Sequence, residues 1–453
     1  MYDPNDTIIA PATGPDGAIG IIRGSGKNIF EICKKIFVPI NAFENPTPNT
    51  AHLLKIIDEN NNIIDKAVVL FYISPKSFTG ENMVEIFLHN SPFIIKKTLH
   101  LFVKNGARIA SNGEFSFRAY INGKIDLIQA EAINELIKSE TEKQHRIAIN
   151  HLEGRLSSKL NLIRSKIIEL LAEIEVRIDD SYEETENLDQ KIYLEKINNI
   201  INEIANLRDT YHNARFIKNG IKVSIVGLPN SGKSSLLNRI LGYERAITSE
   251  IPGTTRDTIE ESIIINGIKF IFTDTAGIRE KTDDIIEEEG IKRTIDSIKK
   301  SDVIIFLKDI SNDKTANEEI IYKKIIDNKK TNSILFEVYS KSDLKPQRKI
   351  DENILKISSK TGQNIDKLIL RLAKIKEDIF DNIYDEIIVS ERHYKCLDEC
   401  IKELSEIKKL NINEYEIIAE HIRGSLSSLE EIIGKTTPDD VLKTIFSNFC
   451  VGK

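Results

Sequence analysis

Cysteine is scarce, with 4 in 453 residues, at Cys33, Cys396, Cys400 and Cys450. They lack the dense spacing of a disulfide framework and the C-x-x-C pairs of a zinc site, which excludes a disulfide-stapled scaffold and points to a reducing compartment. A basic excess is missing too: 63 Lys and Arg stand against 70 Asp and Glu. A mildly acidic chain is not built mainly to grip a nucleic-acid backbone by itself, although an RNA substrate presented by a partner is compatible with it. No apolar run reaches the length of a membrane span, and the opening "MYDPNDTIIAPATGPDG" lacks a basic stretch followed by an apolar one. A soluble, cytoplasmic protein without a membrane partner is expected. Internal repeats, low-complexity tracts and long Pro/Gly linkers are also missing, and at roughly 150 residues per domain the length suggests about three domains.

What is present changes character along the chain. Up to Lys124, short β-rich runs such as "DTIIAPAT", "AIGIIRGSG", "IIDKAVVLFYIS" and "NMVEIFLHN" accompany one helical stretch, "SPFIIKKTLHLFVKNG", closed by a glycine. From Leu127 to about Arg215 apolar residues recur at three and four, the period of long amphipathic helices. Strands return at "GIKVSIVG" and alternate with helices to about Lys376, after which helices resume. The expected fold is multi-domain, α+β and α/β: an N-terminal α+β domain over 1–124, a helical domain over 125–215 and 379–453, and a P-loop domain over 216–378 inserted into it.

The densest chemical signal is "SIVGLPNSGKSSLLN", a strand, Gly227-x-x-x-x-Gly232-Lys233-Ser234, then a helix. Glycines let the backbone wrap phosphate oxygens, Lys233 reaches the β and γ phosphates, and Ser234 can ligate magnesium. Asn230, Ser231 and Ser235 complete the loop. "IIINGIKFIFTDTAGIRE" reads as a hairpin turning at Asn266-Gly267 and running into Asp274-Thr275-Ala276-Gly277, where Asp274 can hold the metal through water and Gly277 can donate to the γ-phosphate. In "TSEIPGTTRD", Thr254 or Thr255 can complete the magnesium shell. Asp343 in "YSKSDL" accepts from the N1–H and amino group of guanine, which adenine lacks, with Lys341 beside it. "ISSKTG" offers Ser358, Ser359 and Lys360 nearby. The order of these motifs points to GTP hydrolysis. A GTP-dependent switch or ribosome assembly factor without modification chemistry is the competing class.

With its flanks "DTIIAPAT…GIIRGSG", "SFTGENMVEIFLHN", "NGEFSFRAYINGKIDLIQAEAINELI" and "TPDDVLKTIFSNFCVGK", the chain resembles the MnmE (TrmE) family of tRNA modification GTPases along essentially its whole length. The resemblance implies a homodimeric GTPase, stimulated by potassium, that works with the flavoprotein MnmG (GidA) in a heterotetramer on the wobble uridine of certain tRNAs. The cofactors implied are Mg2+, K+ and a 5-formyl- or methylene-tetrahydrofolate, with FAD and NADH entering through the partner. Ile278 stands where Ras-like enzymes carry a water-orienting Gln, and the family's V-E-x-x-G-I pattern matches at 286–291, making Glu287 the catalytic candidate beside Glu288 and Glu289. Potassium would be held by Asn230, Ser249, Ile251 and Thr254, magnesium by Ser234 and Thr255, and the switch loop adds Glu250, Pro252 and Gly253 to the nucleotide site.

Folate would be held by Arg23, Glu85, Lys124 and Lys453, through a guanidinium and ammonium for its carboxylate or pterin oxygen and an acceptor for its amino and ring N–H groups. Ser340 stands where the N-K-x-D motif has Asn, a departure expected to weaken nucleotide binding while Asp343 keeps guanine selection. "FLHNSPF" departs from the family's H-G-G. The ending "NFCVGK" has the position of a prenylation signal, but Gly452 and Lys453 do not suit one. It matches the family's terminal C-[IV]-G-K instead, so "TIFSNF" is expected as a docked helix returning Cys450 to the folate-like pocket, where the thiol is a nucleophile or a structural element. Zinc at His393, Cys396 and Cys400 is disfavoured against packing on one helix face.

Overall fold

The structure, a computed structural model, describes residues 6–44, 47–178, 189–244, 261–272, 287–313, 315–349, 351–376 and 387–452. They form two compact units, one made of Met1–Lys138, Ala148–Ala205 and Arg392–Lys453, the other of Ser139–Ile147 and Asn206–Glu391.

The first unit opens with seven strands: β1 (Ile8–Pro11), β2 (Ile19–Ser25), β3 (Phe37–Val38), β4 (Ala51–Ile57), β5 (Ile63–Tyr72), β6 (Met83–His89) and β7 (Arg108–Ile109). They form one sheet in the order β3-β4-β5-β6-β2-β1-β7, antiparallel except for the β1–β7 pair. Alternation along β5 and β6 sends Ala67, Val69, Phe71, Val84, Ile86 and Leu88 to one face, where they pack with Leu101 and Phe102 of the helix Pro92–Lys104. That helix stops where Gly106 turns to a φ of 103°, a conformation glycine takes without a Cβ clash.

Asn90, in the stretch that departs from H-G-G, donates its amide to the carbonyls of Gly14, Pro15 and Gly17, fastening the β1–β2 loop. Helices follow. Leu127–Ile137 starts on a capping box in which Asp126 accepts from the Gln129 N–H and the Gln129 amide accepts from the Asp126 N–H. Arg155–Ile178 buries Leu156, Leu160, Ile163, Ile167, Leu170 and Ile174 and packs along Tyr415–Ile433. The expected terminal helix is present over Asp439–Ser447.

The second unit holds β8 (Ile221–Gly227), β9 (Glu261–Ile265), β10 (Ile268–Phe272), β11 (Val303–Asp309), β12 (Ile334–Ser340) and β13 (Leu355–Lys356), ordered β13-β12-β11-β8-β10-β9. Every neighbouring pair is parallel except the β9–β10 hairpin. Its turn is the expected Asn266-Gly267, with φ of 49° and 74°, both in the left-handed region that such a two-residue turn needs. Parallel strands covered on both faces read as unbroken apolar runs, as "VIIFL" of β11 does. Their carboxyl ends, at Gly227, Asp309 and Ser340, lie at one edge, where ligands bind in open α/β sheets. No helix among the described residues is long and apolar enough to cross a membrane.

Candidate functional site

The P-loop follows β8. Gly227 is required by close approach, since a Cβ there would lie 2.5 Å from the Leu307 carbonyl oxygen and 2.8 Å from Ser231 Oγ. Asn230 and Gly232 take φ of 63° and 93°, bending the loop into the helix Lys233–Glu244. The N-terminus of that helix, with its first N–H groups and the positive end of the helix dipole, suits a polyphosphate. Lys233 Nζ donates to the carbonyls of Gly227 and Leu228 at 3.0 and 2.9 Å, and desolvation holds its pKa below the ordinary lysine value.

The loop carrying Ser340, Lys341 and Asp343 lies at the end of β12. Ser340, buried, donates its hydroxyl to the Ser231 carbonyl at 2.7 Å, so the residue that replaces Asn ties this loop to the P-loop. Asp343 is exposed and accepts from Ser358 Oγ at 2.6 Å, a bond that keeps its carboxyl below the usual range. Ser358 therefore orients the Asp343 carboxylate, while Ser359 is half-buried and Lys360 exposed beside it. Lys341 Nζ pairs with Asp309 at 2.7 Å.

In the first unit, Arg23 on β2 faces Glu85 on β6 across paired backbone positions. Its Nε and Nη2 donate to Glu85 Oε1 at 3.0 and 2.7 Å. Tyr72 donates to Glu85 Oε2 at 3.1 Å, and the guanidinium lies over the rings of Phe78 and Phe115 at 5.6 and 5.8 Å. Arg23 Nη1 donates to the Gly452 carbonyl at 3.0 Å. The tail reaches it because Phe446 and Phe449 pack with Phe117, Tyr120 and Leu127. A Cβ on Gly452, whose φ is 90°, would fall 2.3 Å from the Pro11 carbonyl oxygen. Cys450 is exposed, and its carbonyl accepts from the Gly113 N–H. Lys124 donates to the Pro75 carbonyl at 3.0 Å, on the loop that carries Phe78.

Comparison with known proteins decides what these two sites belong to. Residues 7–124 match the model described as the GTP-binding protein TrmE N-terminus, and residues 127–450 match the MnmE helical domain. A "tRNA modification GTPase MnmE" of Thermotoga sp. (strain RQ2) is 37% identical over 462 residues, covering 99% of this chain and 100% of the relative. One of the same description from Aquifex aeolicus (strain VF5) is 38% identical over 458 residues, with the same coverage of both chains. The chain belongs to the MnmE family of tRNA modification GTPases.

Of the residues matched to MnmE patterns, Ser249, Glu250, Ile251, Pro252, Gly253, Thr254, Thr255, Asp274, Thr275, Ala276, Gly277 and Lys453 lie outside the described residues. Glu287 opens the helix Glu287–Lys300, and its side chain is likewise outside the description. Of the candidate metal ligands of MnmE, Asn230 and Ser234 are described, at the loop and first turn that would face a phosphate-bound cation. A zinc site gains no support: no cluster of three or more His, Cys, Asp or Glu fit for a metal occurs among the described residues. Cys396 and Cys400 are buried, and burial pushes their thiols up to about 11 and about 12. His393 Nε2 meets Glu131 Oε2 at 2.8 Å.

Nothing in the local sequence marks Tyr72, Phe78 and Phe115 around Arg23, or Asp309 beside Lys341. Each is an ordinary aromatic or strand-end residue in its own segment and acquires its place only through the fold.

Proposed function

We propose that the chain is a potassium-stimulated GTPase of the cytoplasm that, as a homodimer joined to the flavoprotein MnmG (GidA), modifies the wobble uridine of certain tRNAs at C5. The observation that carries this over a bare GTP-dependent switch is the second built site. A guanidinium held in two bonds by Glu85, set against two rings and bonded to the Gly452 carbonyl, is a polar cluster that GTP binding and hydrolysis alone do not call for. Its charge and acceptor set suits a tetrahydrofolate, which would supply the one-carbon unit, while FAD and NADH enter with the partner. Arg23 would pair with the carboxylate or a pterin oxygen and Glu85 would accept from the pterin N–H groups; Lys124 and Lys453 are the further candidates. Cys450, exposed on the tail, would stand at the rim.

The homodimer is supported by an apolar row on the first sheet that is exposed at one end. Leu53, Val68, Phe87 and Ile21 form one cross-strand row, with Leu53 70% and Val68 37% exposed, next to the row carrying Glu85 and Arg23. Exposed apolar side chains side by side on a sheet suit an interaction surface.

In the GTP site, Lys233 and the helix N-terminus would bind the phosphates and Asp343 the guanine. Ser234 and Thr255 would hold magnesium, and Asn230, Ser249, Ile251 and Thr254 potassium; these cations supply positive charge where it develops on the transferring phosphoryl group. Glu287 would orient the attacking water. GTP hydrolysis should therefore run at least about tenfold faster in potassium than in sodium at equal ionic strength, the scale of one transition-state charge contact. Equal rates would remove Asn230 from the ligand set. Glu287→Ala should keep GTP affinity within about twofold and lower kcat by roughly a hundredfold, as expected of a group acting only in the transition state. Retained turnover would move the role to Glu288 or Glu289.

A further inference from the structure

We propose that Asp309 is a positioning residue for guanine recognition, holding Lys341 so that the loop over 340–343 is set before the base arrives. This rests on the reading of that loop as the guanine site. Asp309 ends β11 and Ser340 ends β12, and the two are paired in register. The next residue, Lys341, sits at a φ of 57°, a left-handed conformation that a residue with a Cβ keeps only where its surroundings hold it. Its backbone is tied by the Leu344 N–H, which donates to the Lys341 carbonyl at 2.9 Å, and by the Ser342 N–H, which donates to the Ile357 carbonyl at 3.0 Å, while its ammonium is held by the Asp309 carboxylate at 2.7 Å.

Asp309 is itself immobilised. It is 8% exposed, its Oδ1 accepts from the N–H and hydroxyl of Ser311 at 2.9 and 2.7 Å, and its Oδ2 accepts from the Asn312 amide at 3.2 Å. A carboxylate fixed by neutral donors and left with one cation is a rigid anchor for that cation.

The chain beyond the motif is pinned to the same strand end. The Gln347 N–H donates to the Ile310 carbonyl at 3.0 Å, and Arg348 forms a bidentate pair with Glu318, with both side chains 6% exposed. Within the loop, Ser340 is bonded to the P-loop and Asp343 to Ser358. Lys341 is the remaining long side chain, and without Asp309 its ammonium has no fixed acceptor among the described residues. With a hydroxyl in place of the amide at 340, the Asp309–Lys341 pair takes a larger share in presenting Asp343. Preorganisation of this kind raises affinity by lowering the ordering cost of binding.

The test is titration of GDP and of a non-hydrolysable GTP analogue, together with steady-state hydrolysis, on the full chain. Asp309→Asn keeps the shape and the acceptor for Ser311 but removes the charge. It should weaken both nucleotides alike, about tenfold, with kcat at saturating GTP within about twofold of wild type, because the reacting phosphate is at the other end of the nucleotide. In a Lys341→Met background the same change should cost nothing further.

An affinity within about twofold of wild type overturns the proposal, and so does a loss that persists undiminished in the Lys341→Met background. Should the neutral variant give no folded protein, Asp309→Glu, which keeps the charge but displaces it by a methylene, takes its place with the same two outcomes. Asp343→Asn separates the two levels of inference. If that variant binds GDP as wild type does, the reading of the guanine site fails; if it loses GDP while Asp309→Asn does not, only the role of Asp309 fails.

Discussion

Lys233→Met weakens GTP binding by roughly a hundredfold or more, measured by direct titration, with the fold of the chain retained. The expectation comes from the state of the ammonium. It is half-buried, it donates to two neutral carbonyls at 3.0 and 2.9 Å, and no carboxylate pairs with it among the described residues. Burial without an anion is why its pKa is held down, so this cation gains most when an anion arrives. Two charge-assisted bonds to phosphate oxygens, at about 1.5–3 kcal/mol each, amount to about 3 kcal/mol or more. Met has a similar length and no charge, so the stem packing survives and the loss reports the ammonium. Affinity within about threefold of wild type would mean that the loop does not grip phosphate through Lys233.

Arg23→Lys is expected to reduce wobble-uridine modification by about ten- to a hundredfold while leaving GTP hydrolysis within about twofold. A lysine keeps the charge but has no planar fork, so it cannot reproduce the paired donation to Glu85 together with the bond to the Gly452 carbonyl. Loss of one or two charge-assisted bonds corresponds to that range. Because Arg23 and the P-loop belong to different units, hydrolysis serves as the internal control. Parallel loss of both activities would point to a general folding defect, and full modification would remove Arg23 from the proposed one-carbon site. Modification is read as the fraction of converted wobble nucleoside per unit time, in a reconstituted reaction with the proposed flavoprotein partner.

How much of this was legible in the sequence depends on whether a signal is local. The Asn266-Gly267 hairpin, the Gly stop after Lys104 and the strand–loop–helix of the P-loop were readable because a few adjacent residues fix the backbone there. Ser340 shows the limit. From sequence it was a defect in the N-K-x-D pattern, whereas in the fold its hydroxyl reaches the Ser231 carbonyl, 109 positions away.

The surroundings of Arg23 were still less accessible. Glu85 is 62 positions from it and Gly452 429, and no periodicity links a β-strand arginine to a terminal glycine carbonyl. Lys124 is grouped with Arg23 by resemblance alone, and only the fold shows its ammonium on the Pro75 carbonyl, in the loop that carries Phe78. The insert is likewise broader in space than a strand pattern suggests. Ala214, Phe216 and Ile217, on the helix Tyr211–Asn219, join the core of the second sheet, as does Ile147 from a helical stretch earlier in the chain.

The measurement closest to the central claim is nucleoside analysis of tRNA from cells in which this gene is deleted and then restored with wild type, Lys233→Met or Arg23→Lys. The C5 modification at the wobble uridine should disappear on deletion, return with the wild-type gene and remain deficient with either variant. Wobble uridines unchanged by the deletion would contradict it, leaving a GTPase whose second site serves some other chemistry.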